Sequence, residues 1–271
     1  MKVANVDRVH PPRRRMAIHP AIVVVLLRAT LCFVCALTFI DLAPGSGILP
    51  TALAHTIIVS QTRVPILSRG NPTLPEIALT FDDGPNPPYT LRILAILKHF
   101  GIKATFFCIG LQVARYPRIV KQEYTAGNTI GDHTWSHPFL PSFSASQIFS
   151  QLALTARILQ KTIGVRPLFF RPPYGALNAT VLAQANQLKL TTTLWSDDPR
   201  DWTLPGTQAI ISRVLLVADN GTIILMHDGG GNRSETVAAL PTIIETLQKR
   251  GFRFVTLRRL AADLHTSIVV H

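Results

Sequence analysis

From Glu76 onward the chain alternates short apolar runs with longer segments of helical period, and that alternation admits little besides a parallel sheet or barrel wrapped by helices. The expected strands are Ile77–Phe81, Ala104–Ile109, Thr129–Gly131, Leu168–Phe170, Thr191–Trp195, Thr222–Met226 and Phe252–Thr256, which makes seven. The helices between them carry readable ends. Thr90–Phe100 stops at Gly101, a glycine placed for a left-handed C-terminal residue, and Ser144 with Gln147 makes a capping box for a helix that runs to Ile163 and closes at Gly164. Asn178, Thr207 and Ser234 are the expected N-caps of the later helices, the last ending before Gly251. Nearly every unusual polar cluster falls just after one of the strands, the edge at which parallel barrels build their sites.

The part before Glu76 reads differently. Arg13-Arg14-Arg15 precedes a largely apolar stretch from Ala21 to Ile40, broken by Arg28 and two threonines. That is about 20 residues with a cationic flank, enough to cross a bilayer with the flank kept inside. The expected organisation is therefore a basic stub and membrane segment at 1–40, a Pro/Gly-containing linker at 41–75, a folded domain at 76–265 and a tail at 266–271. An uncleaved anchor places the domain outside the cell on a single-pass segment. Ala52-Leu53-Ala54 offers the alternative of a cleaved signal peptide and a secreted domain.

Charge narrows the partners. The formal charge is +12, but Lys2, Arg8, Arg13, Arg14, Arg15 and Arg28 stand in the leader against Asp7 alone. What remains is spread in runs no longer than two and comes with no nucleic-acid motif, so nucleic acid is not an expected partner. Cys32 and Cys35 lie in the apolar leader and Cys108 in an apolar strand, which is no disulfide framework.

The polar clusters carry the chemistry. Asp82-Asp83-Gly84-Pro85 follows the first strand, and adjacent carboxylates repel unless a metal or an arginine holds them. A tight Asp-Gly turn is the plainer reading. After the third strand comes His133-Thr134-Trp135-Ser136-His137, whose histidines at i and i+4 would share one face of a helical turn. With Asp83 they form an Asp-His-His set with positions left open, the pattern of a catalytic metal site rather than a closed structural one. The fourth strand leads into Arg171-Pro172-Pro173-Tyr174-Gly175, either a rigid surface turn or a loop that sets Arg171 beside Asp82. Asp198-Pro199-Arg200-Asp201-Trp202 follows the fifth strand and His227 ends the sixth, where a carboxylate bonded to the imidazole would raise its pKa.

The segments TFDDGP, HTWSH, RPPYG, DPRDW and LMH resemble, in order and spacing, the five motifs of the polysaccharide deacetylases, the NodB-homology or carbohydrate esterase family 4 group. The resemblance spans some seventy per cent of the chain, from Ile77 to the final helix. It implies a distorted (β/α)7 barrel and a hydrolase that removes N-acetyl groups from N-acetylglucosamine-containing polysaccharide, peptidoglycan or chitin-like, releasing acetate. It implies Asp82 as general base, Asp83, His133 and His137 as metal ligands, and Arg171 as the tether of Asp82. It further implies that the Tyr174 N–H assists the oxyanion, that Asp201 orients His227 as general acid, and that Trp202 and Leu225 wall the acetyl pocket; Asp198 receives no role. Zn²⁺ is the expected ion, with Co²⁺, Ni²⁺ or Mn²⁺ as alternatives, and the chain is expected to act as a monomer. Two departures stand out: Asp132 occupies a place where relatives usually carry Asn, and Lys121–Gly127 is less regular than the helix usual there. The rival readings are an O-acetyl esterase on xylan-like glycans, cleavage of a small cyclic amide, and a wall-binding module that keeps the fold without the activity.

Overall fold

The computed structural model describes residues 66–266; the leader, its two cleavage readings, most of the expected linker and all but the first residue of the tail lie outside them. In chain order the elements are β1 (Glu76–Asp82), α1 (Tyr89–His99), β2 (Thr105–Cys108), α2 (Gly110–Arg115), α3 (Pro117–Thr125), β3 (Thr129–Asp132) and α4 (Ala145–Ile163). There follow β4 (Phe169–Phe170), α5 (Ala179–Gln187), β5 (Thr191–Thr192), α6 (Thr207–Val217), β6 (Ile223–His227), α7 (Ser234–Lys249), β7 (Arg253–Phe254) and α8 (Leu257–Thr266). All pairings are parallel, in the order β5-β4-β3-β2-β1-β6, with β7 joined to the start of β1. The result is a half-barrel of parallel strands. Among the described residues no helix is long and apolar enough to cross a membrane.

Strand alternation sorts the side chains. Along β1, Ile77, Leu79 and Phe81 enter the main apolar cluster with α1, α6 and α7, whereas Ala78 joins a second cluster with Leu257 and Leu260 of α8. The two positions that continue the Ala78 side, Thr80 and Asp82, are polar and buried. The register of β1 with β6 pairs Asp82 with His227 directly, so two chemical side chains become neighbours on adjacent strands about 4.8 Å apart through the ladder alone.

The helix ends follow local chemistry where that chemistry is strong. Ser144 and Gln147 form the reciprocal capping box of α4 and Gly164 closes it at φ 80. The buried stripe Ile148, Leu152, Thr155, Ala156, Leu159 and Thr162 recurs at steps of three and four, so one face of α4 is committed to the core. Asn178 caps α5 as expected, its side chain accepting from Val181 N.

Several expectations need correction, among them the seventh strand, which is Arg253–Phe254 rather than Phe252–Thr256. Thr207 and Ser234 are the first helical residues rather than caps; the cap positions are Gly206 and Arg233, and the Gly206 N–H finds the Glu235 carboxylate from α7 at 2.8 Å. Lys121–Gly127 falls mostly in a regular helix, α3, opened by Pro117. The fifth strand is two residues long instead of five, because the carbonyls beyond it are taken elsewhere: Leu194 O by Arg171 Nη2 at 2.9 Å and Asp197 O by Leu225 N. Residues 66–75 are joined to the domain, with Leu67 buried and bridged to Thr193 and Gly70 N donating to Gly221 O.

Candidate active site

All five polar clusters reach the same end of the sheet, at or just beyond the C-terminal ends of β1, β3, β4, β5 and β6. Asp82 ends β1 on the same side as Ala78 and Thr80, and its Oδ1 accepts from Arg171 Nη1 at 2.8 Å. Arg171 is wholly buried; it also donates to Thr80 Oγ1 and Leu194 O, and its guanidinium lies 4.2 Å over the Phe107 ring and 5.6 Å from that of Trp195. Burial pulls its pKa down and the Asp82 carboxylate opposes this. A guanidinium stays charged through such a contest.

Asp83 turns away from the strand at φ 73. Its Oδ1 lies 3.4 Å from His133 Nε2 and 3.2 Å from His137 Nε2, and the ligand atoms of the three residues lie within 4.8 Å of one another. Burial pushes the Asp83 carboxyl up, but the imidazoles of His133, His227 and His137 outweigh it and hold the group well below the usual carboxylate range. The backbone here admits no bulk on the facing loop: a Cβ on Gly229 would strike the Asp83 backbone, and one on Gly230, at φ 72, would reach the Asp83 carboxylate.

His133 and His137 do not share a helical turn, contrary to the expectation from their spacing. Residues 133–137 form a loop in which Thr134 and His137 both have positive φ. Hydrogen bonds hold it: Asp132 Oδ1 accepts from Thr134 N, Thr134 Oγ1 from His137 N, and Gln151 Oε1 of α4 from the N–H groups of Trp135 and Ser136, both at 3.0 Å. Gln151 is a supporting residue that no motif marks, since its partners are fifteen positions away. Burial drives the Asp132 carboxyl well above its usual range against the opposing Thr134 N–H.

The site fits a divalent cation on its own geometry. Asp83 Oδ1 is buried without a hydrogen-bond donor, an arrangement that costs free energy unless something positive completes it. His133 Nδ1 faces the Arg171 carbonyl at 2.7 Å, which fixes the proton on that nitrogen and leaves Nε2 a free lone pair. For His133, burial pushes the pKa down and the Asp82 and Asp83 carboxylates push it up with the larger sum; for His137, burial and His133 prevail and the shift is downward.

On the other side, His227 Nδ1 meets Asp201 Oδ1 at 2.7 Å and His227 N donates to Asp201 Oδ2 at 2.9 Å. Thr236 Oγ1 of α7 completes the buried carboxylate at 2.8 Å. Burial lowers the His227 pKa, but the Asp201 contact and the Asp82 and Asp83 charges outweigh it and the net shift is upward. Leu225 lies two residues earlier on the same side of β6 and is buried. Trp202 is half-exposed with Arg200 over its ring at 5.7 Å. Asp198 is spent on a turn, accepting from Arg200 N. Its neighbour Asp197 is raised to about 7, by burial first and by Asp198 second.

Tyr174 stands at φ 61 in a 3₁₀ turn, Pro173–Gly175, with its ring 4.7 Å from His137, edge to face. Gly175 follows at φ 64, and a Cβ there would lie 2.8 Å from the edge of Trp195. Tyr174 and Gly175 therefore both take a left-handed conformation, which Tyr holds only under constraint.

Residues 69–193 match the profile of a family described as polysaccharide deacetylase. A peptidoglycan-N-acetylglucosamine deacetylase of Bacillus cereus is 42% identical over 191 residues, covering 70% of this chain and 89% of that protein. The crystal structure of the Bc1960 peptidoglycan N-acetylglucosamine deacetylase is similar with a TM-score of 0.71 at 37% identity, covering 72% of this chain and 92% of that one. BA3943, a CE4 family pseudoenzyme from Bacillus anthracis, is similar with a TM-score of 0.70 at 30% identity over 74% of this chain and 70% of that one. A pseudoenzyme thus carries the same backbone, so the side chains at the mouth and not the fold must decide activity.

Proposed function

Because the chain belongs to the polysaccharide deacetylase family, we propose that it hydrolyses N-acetyl groups of an N-acetylglucosamine-containing polysaccharide, with peptidoglycan as the first candidate, and releases acetate. The observation that carries this reading is the meeting of the Asp83-His133-His137 triad with the Asp82–Arg171 pair at one end of the sheet. Deacetylases of the family depend on a metal in general. Asp83, His133 and His137 would hold it here, and Zn²⁺ suits two imidazoles and one carboxylate. When bound, the ion supplies a positive charge that acidifies water and polarises the acetamide carbonyl.

The chain's own residues account for the protons. Asp82, held by Arg171 Nη1 on Oδ1, accepts a proton from the water that attacks the acetamide carbon. The Tyr174 N–H is assigned to the developing oxyanion, a contribution of about 3 kcal/mol for one aimed donor. His227 keeps its Nδ1–H on Asp201, and in its cationic form gives the Nε2 proton to the departing nitrogen as the C–N bond breaks, leaving a neutral imidazole. Acetate and a free amino sugar result. Trp202 and Leu225 are proposed to flank the acetyl group, supported by their positions beside Asp201 and His227.

We extend the proposal to location. A basic flank followed by an apolar segment supports export of the domain, anchored or cleaved, to the side of the membrane where a wall polymer lies. The function is tested by incubating the full chain with peptidoglycan, N-acetylglucosamine oligomers and O-acetylated xylan, with and without chelator. Chelator-sensitive acetate release from the first two is expected; release from xylan alone would transfer the chain to the esterases, and release from none would leave only a binding role.

A further inference from the structure

The site described so far leaves one large aromatic side chain near its mouth without a role. Phe139 is 53% exposed although it lies two residues beyond His137. The local chain explains its outward position. Leu140 is fully buried in a cluster with Ile148, Leu152 and Phe170, and anchoring Leu140 there leaves its neighbour on the outside. The loop is nonetheless fixed: the Phe139 carbonyl accepts from Ser142 N at 3.2 Å and from Ser142 Oγ at 2.8 Å, and Pro138 and Pro141 stiffen both flanks. Its ring centroid lies 6.4 Å from that of Tyr174, tilted by 47°. Tyr174 is itself 69% exposed and touches His137. His137, Tyr174 and Phe139 therefore form a continuous aromatic strip that begins at the triad and runs outward along the mouth.

We propose that Phe139, together with the Tyr174 ring, is a platform for a second sugar of the glycan, the pyranose next to the one whose acetamide reaches Asp82. The inference rests on the proposed function. An aromatic face is negative, and a pyranose with equatorial substituents turns a face of weakly positive C–H groups towards it while its hydroxyls stay in water at the rim. A rigid ring on a pinned loop loses little freedom when it binds, which distinguishes a platform from an incidental exposed residue. Continuity with the catalytic mouth favours the polymeric substrate over a protein partner as the occupant.

The test uses the full-length, metal-loaded protein in detergent with an N-acetylglucosamine tetramer. Phe139→Ala is expected to raise KM about tenfold, the loss of one ring contact, while kcat falls by less than about twofold and the melting temperature holds. Phe139→Trp is expected to restore KM. A KM within about twofold of the parent in Phe139→Ala, or no recovery in Phe139→Trp, overturns the platform. If the parent releases no acetate, the proposed function fails by itself. Tetramer binding measured by calorimetry then decides the platform: weakening in Phe139→Ala and recovery in Phe139→Trp sustain it, and equal affinities refute it.

Discussion

The two sides of the mouth are built on opposite principles. On the β1 and β3 side, Asp83, Thr134 and His137 all sit at positive φ and Asp83 Oδ1 has no donor. On the β6 side, the Asp201 carboxylate is saturated by His227 N, His227 Nδ1 and Thr236 Oγ1. The Asp83 carboxylate is left incomplete at Oδ1, whereas the Asp201 carboxylate is fully satisfied. A centre waiting for a cation must keep its lone pairs uncommitted, whereas a proton donor works only if its orientation is settled beforehand.

The largest expected effect strikes the point at which the two sides meet. Arg171→Met removes the charge that faces Asp82 across 2.8 Å in a fully buried setting, and the uncompensated carboxylate should cost about 3–5 kcal/mol in urea unfolding. A loss under about 1 kcal/mol, the value of an exposed pair, would show that water reaches this pair after all. Next, Asp201→Asn should lower the rate of acetate release about 10³-fold, as expected when a general acid loses its orientation.

The same variant should move the pH profile. With its pKa raised, chiefly by the Asp201 contact, His227 holds its proton to higher pH than an ordinary imidazole, and the rate falls as pH climbs past the raised value; Asp201→Asn should shift that falling limb to lower pH. The stability linked to His227 has the same sign, complete below the unfolded value near 6.5 and lost as pH rises through the folded one. Smallest is the thermal response to Zn²⁺. A hundredfold excess over Kd should stabilise the parent by about 2.7 kcal/mol, a rise of several degrees on melting. His133→Ala should abolish the rise and Asp201→Asn should keep it. Loss of the shift in both would mean that the two sides are not separable.

How much of this could be read beforehand depends on the range of the interaction. The strand positions and the ends of α4 and α5 follow from apolar runs and from caps within three residues, and they fall where Ser144, Gly164 and Asn178 put them. The register that sets Asp82 beside His227 depends on the whole sheet, and the brace from Gln151 on a helix fifteen residues away. The i, i+4 spacing of His133 and His137 suggested a helix for the right chemistry and the wrong backbone: Asp132 and Thr134 hold the turn through side-chain bonds that periodicity cannot show. The cap at Gly206 was hidden for the same reason, since its acceptor is Glu235 on another helix.

Trp195 stands at a crossing. One edge of its indole fills the space that a side chain at position 175 would need, and its face helps shield the Arg171 guanidinium from water. The turn that carries Tyr174 and the tether of Asp82 thus share a wall. Sequence drift at either place must pass through the same indole, so the two should be inherited together or lost together.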